Sequence, residues 1–276
     1  MCTIVFEQLF KVKQIKSNAF NIFILGFIFS ELGILSSLLI FRRNFEYAGL
    51  LSIAFTSLLA LPFLYSLLDF RNIEMSNGKS FFKTIFTNNK TILNAYLLLF
   101  LGIFLSYALF SIAMPNFSTY TIFKSQFSSA NLAGQATTVQ LNFGDILGNN
   151  FQVLMASFIF SLLFGVGSIL FLTWNASVWG TIMGFFAKQS ALVISQNPFV
   201  AFSIMFVKFL PHLVTEAASY FFAVIAGVVI SQTLVNENYK SEKFQYTLLE
   251  GLTLFFIAVV LLFIAAWLEV YLFPLL

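Results

Sequence analysis

His212 and Glu216 stand four residues apart in an apolar stretch, directly after Pro211. On a helix that spacing puts both side chains on one face, where an imidazole and a carboxyl can do acid–base work together. The face continues through Ser219, Ala223 and Gly227, small side chains that let a neighbouring helix approach closely. The pair is therefore expected to point into protein rather than lipid. An ionisable side chain inside an apolar span is costly to hold and is a functional candidate by default. The plainer reading is that Glu216 accepts hydrogen bonds from a neighbouring helix and only fixes the fold. No metal centre is expected: one His and one Glu leave two or more ligands unsupplied, and the chain has 1 His and 1 Cys, Cys2.

Glu31 is the second intraspan carboxyl, with Lys188, Lys208 and His212 as its candidate partners. Glu250 and Glu269 fall near the ends of the last apolar run, where a carboxylate can reach the interface, and are expected to be unremarkable. Asn149 and Asn150 open the fourth run and Asn175 closes it. Asn at a helix start supplies an N-cap, so Asn175, just before Ala176, is expected at the tip of a tight hairpin.

No catalytic arrangement is present. The chain lacks a Gly-rich phosphate loop, H-E-x-x-H, G-x-S-x-G and any Asp pair within a span, so the expectation is a non-enzyme with no cofactor. The formal net charge is only +3 and no Lys/Arg block resembles a nucleic-acid footprint, which excludes that partner. With 1 Cys, a disulfide framework is excluded as well.

The elements that must position these residues are membrane spans. Of the 276 residues 59% are hydrophobic and only 9% charged, far below the roughly 25% charge of a soluble domain. Apolar runs of spanning length fall at roughly 19–41, 47–68, 91–113, 151–174, 176–195, 199–231 and 248–273. The fold class is thus all-α, a polytopic transmembrane bundle of about seven membrane-embedded helices. The sixth run is too long for one straight span, and Pro211 near its middle predicts a kink or a break, with a short helix over 199–210 that crosses or re-enters. No cleavable signal peptide is expected, because the first run is too long for one and no small-x-small site follows.

Residues 1–18 read as an interfacial amphipathic helix and 19–68 as two N-terminal spans. The segment 69–90 reads as a cytoplasmic loop with a second interfacial helix, in which Phe81, Phe82, Ile85 and Phe86 share a face. Residues 91–276 carry the other five runs and a polar outer loop, 114–149. Small residues recur at helical spacing in four spans, Gly165, Gly167, Gly180, Gly184 and Gly227 among them, and predict helix packing or a dimer seam. With the N-terminus in the cytoplasm, nine Lys/Arg residues lie inside against Arg42, Arg43 and Lys124 outside. The positive-inside rule then places loop 114–149 and the C-terminus outside.

The order Asn149-Asn150, Gly165-x-Gly167, Asn175 and Pro211-His212-x-x-x-Glu216 resembles the stage II sporulation protein M family of multi-pass membrane proteins, over roughly 91–273. Where the family pattern has Gly after the hairpin Asn and after the His, this chain has Ala176 and Leu213. The resemblance implies a five-helix core over 91–276, with the spans in 19–68 as an addition. It also implies a scaffold of the cell membrane, with other membrane or cell-envelope proteins as partners besides the lipid bilayer; self-association as a dimer is expected beside it. The alternative is a transporter or channel for an ion, small solute or lipid that uses His212 and Glu216. A proline-broken helix is where such proteins build binding sites.

Overall fold

The computed structural model describes residues 19–68, 80–129, 142–193 and 195–272. The expected interfacial helix at 1–18 lies outside them. Helix α1 is Ala19–Ile40, α2 is Ala48–Leu68, α3 is Phe81–Ala113, α4 is Asn116–Ile122 and α5 is Lys124–Ser129. They are followed by α6, Phe143–Phe164; α7, Ile169–Val193; α8, Pro198–Asn236; and α9, Glu242–Trp267, which runs into a π-helical turn at Leu268–Leu272. No strand occurs among the described residues. In lipid, helices satisfy their own backbone groups, which explains the architecture.

Among the described residues six helical stretches are long and apolar enough to cross a membrane, and one of them, Phe143–Val193, contains both α6 and α7. The chain is a multi-pass, all-α membrane protein. Seven helices result when α6 and α7 are counted separately. They must be: the rings of Phe160 and Phe171 stand 4.8 Å apart, whereas eleven residues of straight helix would separate them by about 16 Å.

This reversal turns at Gly165–Ser168, not at Asn175 as expected. Gly165 adopts φ 58°, a left-handed conformation open to glycine, and its N–H closes on the Ser161 carbonyl. Asn175 lies inside α7, buried. Asn149 and Asn150 are likewise interior to α6, and the N-cap is Asn142, whose side chain accepts from the Gly144 N–H at 3.1 Å. Gly165 and Gly167 shape this turn and do not seat a neighbouring helix: no atom lies within 4 Å of a Cβ at Gly165, and at Gly167 the nearest is on Phe164.

Two further expectations are corrected. Helix α8 runs unbroken through Pro211; proline removes one backbone bond, and intact apolar turns on both sides carry the helix across it. The interfacial helix expected within 69–90 is the first part of α3. At about 1.5 Å per residue this 33-residue helix spans about 50 Å, some 20 Å more than hydrocarbon requires. Its expected apolar face also divides, with Ile85 buried and Phe82 and Phe86 exposed. The polar segment 114–149, expected as a loop, is partly helical. Pro115 ends α3, because it disfavours the helical conformation of Met114, and α4 and α5 follow.

The chain divides into two compact units, one drawn from Met1–Ala60, Leu98–Gln140 and Leu172–Leu210, the other from Leu61–Leu97, Leu141–Phe171 and Pro211–Leu276. In the first unit the C-terminal half of α3 is central. A Cβ on Gly26 of α1 would strike the Leu99 carbonyl, one on Gly180 of α7 the Phe104 carbonyl, and one on Gly184 the backbone of Ala108. Tyr107 shares a 2.7 Å hydrogen bond with Ser52 of α2, and α5 is held by Gln126, which donates to the Gly49 carbonyl at 3.1 Å. In the second unit the C-terminal half of α8 is central. Every residue from Tyr220 to Ile230 for which it can be judged by side-chain burial, Tyr220 through Ala226 and Val228 through Ile230, is buried. Gly227 faces the Phe158 carbonyl and Ser161 of α6, and Ser161 donates to the Val224 carbonyl.

Candidate functional site

The second unit brings one ionisable cluster together. His212 and Glu216 lie one turn apart on α8, and His212 Nε2 stands 2.8 Å from Glu216 Oε2. Both side chains are largely enclosed, 14% and 6% exposed. Glu269, from the π-helical turn after α9, places Oε2 3.7 Å from the same imidazole nitrogen. The other ring nitrogen, Nδ1, lies 3.2 Å from the Ala265 carbonyl. Tyr220, one turn beyond Glu216, donates its hydroxyl to Glu216 Oε1 at 2.7 Å.

Local structure explains the convergence. Pro211, His212 and Glu216 all belong to one continuous helix, so the i, i+4 spacing fixes the first pair. On α9 the buried residues Glu250, Leu254, Ala258, Leu262 and Ala265 mark one face. Glu269 follows Ala265 by four residues and prolongs that face to the imidazole. A carbonyl oxygen only accepts, so the Ala265 contact places the hydrogen on Nδ1 and turns Nε2 toward the carboxyls.

The sequence reading assigned Glu269 to the interface, and the structure assigns it to the cluster instead. The stripe of small and apolar residues leading to it was the available signal. Tyr220 was missed because only its height one turn above Glu216 marks it. Glu250 was also read as an end-of-span residue; it is fully buried on α9 and accepts from Asn89 Nδ2 of α3 at 2.6 Å. Glu31, in the first unit, accepts from Ser106 of α3 at 2.9 Å. Lys188 donates to the carbonyls of Ser111 and Met114, which the end of α3 leaves without intrahelical partners. Asn149 and Asn150 bond to one another at 3.3 Å and do not belong to the His212 contacts described above.

Chemically the cluster offers one imidazole nitrogen, two carboxyl groups and a phenol. Comparison with protein families gives a match to the model described as stage II sporulation protein M over residues 96–274, more than half of the chain. That range contains His212, Glu216, Tyr220 and Glu269, and the match agrees with the resemblance read from the sequence. Neither the curated proteins nor the solved structures give a match.

Proposed function

The chain belongs to the stage II sporulation protein M family, and from that premise we propose that it is a non-enzymatic membrane scaffold. In this reading it associates with a second copy of itself and holds other membrane or cell-envelope proteins in place, with its N-terminus cytoplasmic and its C-terminus outside. The observation that carries the reading is the use made of buried polar side chains. In the first unit Glu31 ties α1 to α3 through Ser106, and Lys188 ties α7 to the end of α3. In the second, Asn89 ties α3 to α9 through Glu250, and Ser161 ties α6 to α8. Polar groups used in this way fasten the helices within each unit to one another, which is what a platform for partners needs.

The small-residue stripes around Gly26, Gly180, Gly184 and Gly227 are occupied within the chain, so self-association is assigned to other surfaces. Phe117 on α4, 84% exposed, is an aromatic available to a partner on the side this reading calls outer. Native mass spectrometry of the protein extracted gently from its own membrane tests the proposal. A reproducible second polypeptide, lost on Phe117→Ser together with deletion of residues 130–141, is the expected result. A chain that emerges alone under every mild extraction overturns it.

A second reading, transport of an ion or small solute, is favoured by the His212–Glu216–Glu269 cluster inside a helical span. It expects Glu216→Gln to abolish flux into liposomes while the protein remains folded.

A further inference from the structure

We infer that His212, Glu216 and Glu269 form a binding site for a single divalent cation of the Zn2+ type. The three ligand atoms lie within 4.8 Å of one another. In a tetrahedral zinc site with bonds of about 2.1 Å, neighbouring ligand atoms stand about 3.4 Å apart. The imidazole nitrogen is 2.8 Å from one carboxyl oxygen and 3.7 Å from the other, so shifts of about 0.6 and about 0.3 Å bring these two distances to that value. The two carboxyl oxygens, within 4.8 Å of one another, close by about 1.4 Å at most.

The surroundings match what a metal ligand set requires. A histidine that ligates through one nitrogen almost always donates its other N–H to a carbonyl or carboxylate, and Nδ1 faces the Ala265 carbonyl. Ligating carboxylates are themselves hydrogen-bonded, and Tyr220 donates to the Glu216 oxygen that faces away from the imidazole. Glu269 rides on a π-helical turn, a local widening frequent at functional sites.

Charge argues in the same direction. His212 lies within ion-pair distance of both Glu216 and Glu269. Two carboxylates and a protonated imidazole leave one net negative charge in a low-dielectric interior. Two carboxylates, a neutral imidazole and a divalent cation leave none. One nitrogen and two oxygens suit zinc, whereas Ca2+ takes six to eight oxygen ligands and Mg2+ a strict octahedron. The inference is independent of the scaffold reading.

The full-length protein in lipid nanodiscs is stripped with a chelator, titrated with Zn2+, and separately loaded with Co2+ for its visible spectrum. The expected result is one Zn2+ per chain and a Co2+ absorption band, both lost in His212→Ala and in Glu269→Gln. Tyr220→Phe, which removes only the hydroxyl that orients Glu216, is expected to weaken Zn2+ by about tenfold while leaving the spectrum of a loaded site. Should His212→Ala fail to fold, Glu269→Gln decides, because its side chain is 28% exposed and outside the α8 core. Zn2+ uptake no greater than that of empty nanodiscs, or uptake unchanged in Glu269→Gln, overturns the inference.

Discussion

Asn89 and Glu250, 161 residues apart in the chain, meet at 2.6 Å with both side chains fully enclosed. The bond joins α3 to α9 within one unit. Hydrogen bonds between membrane helices average about 0.6 kcal/mol, with a maximum near 1.7, and complete burial puts this one at the upper end. Asn89→Ala is expected to cost about 1–2 kcal/mol. Glu250→Gln, which keeps an oxygen acceptor, should cost less. Thermal unfolding in detergent compares the two; equal midpoints for Asn89→Ala and the unchanged protein would refute the assignment.

Gly227 and Gly148 form a matched pair of tests. A Cβ at Gly227 would stand 2.7 Å from both the Phe158 carbonyl oxygen and the Ser161 Cβ, so Gly227→Val must push α6 away from α8. The expected loss is about 1–3 kcal/mol. Gly148 on α6 has open space, and Gly148→Ala should be neutral or stabilise by up to about 1 kcal/mol through helix propensity. Unfolding midpoints that move oppositely check both.

The turn between α6 and α7 rests on Gly165. At φ 58° an added Cβ is strained although the space around it is open. Gly165→Ala is expected to cost about 1–2 kcal/mol. Proteolysis of the protein in membranes offers an independent check, since a loosened turn should become a cleavage site. Gly167→Ala, without a left-handed backbone, should have the smaller effect.

Lys188 closes the end of α3. Lys188→Met keeps the apolar stem but removes the donors to the Ser111 and Met114 carbonyls. Amide hydrogen exchange should then rise selectively at residues 110–114, by about five- to tenfold for a local loss of about 1–1.4 kcal/mol. An unchanged exchange pattern there would show that the carbonyls find other partners.

The amino-acid sequence by itself determined that this is a helical membrane protein. It also determined roughly where its spans lie, that small residues such as Gly180, Gly184 and Gly227 line helix faces, and that His212 and Glu216 share a face. These follow from hydropathy and from the 3.6-residue period, and both are written within a single segment of chain. The tertiary structure alone decided the rest. Glu269 becomes part of the site because α9 lies against α8, where His212 meets Ala265, 53 residues away in the chain. The turn sits at Gly165 rather than Asn175, because a left-handed φ suits glycine while asparagine also fits inside a packed helix. Helix α8 runs through Pro211, because intact apolar turns on both sides carry it across the one backbone bond that proline removes. Periodicity shows which face of a helix is turned inward; only packing shows which residue from another segment meets it there.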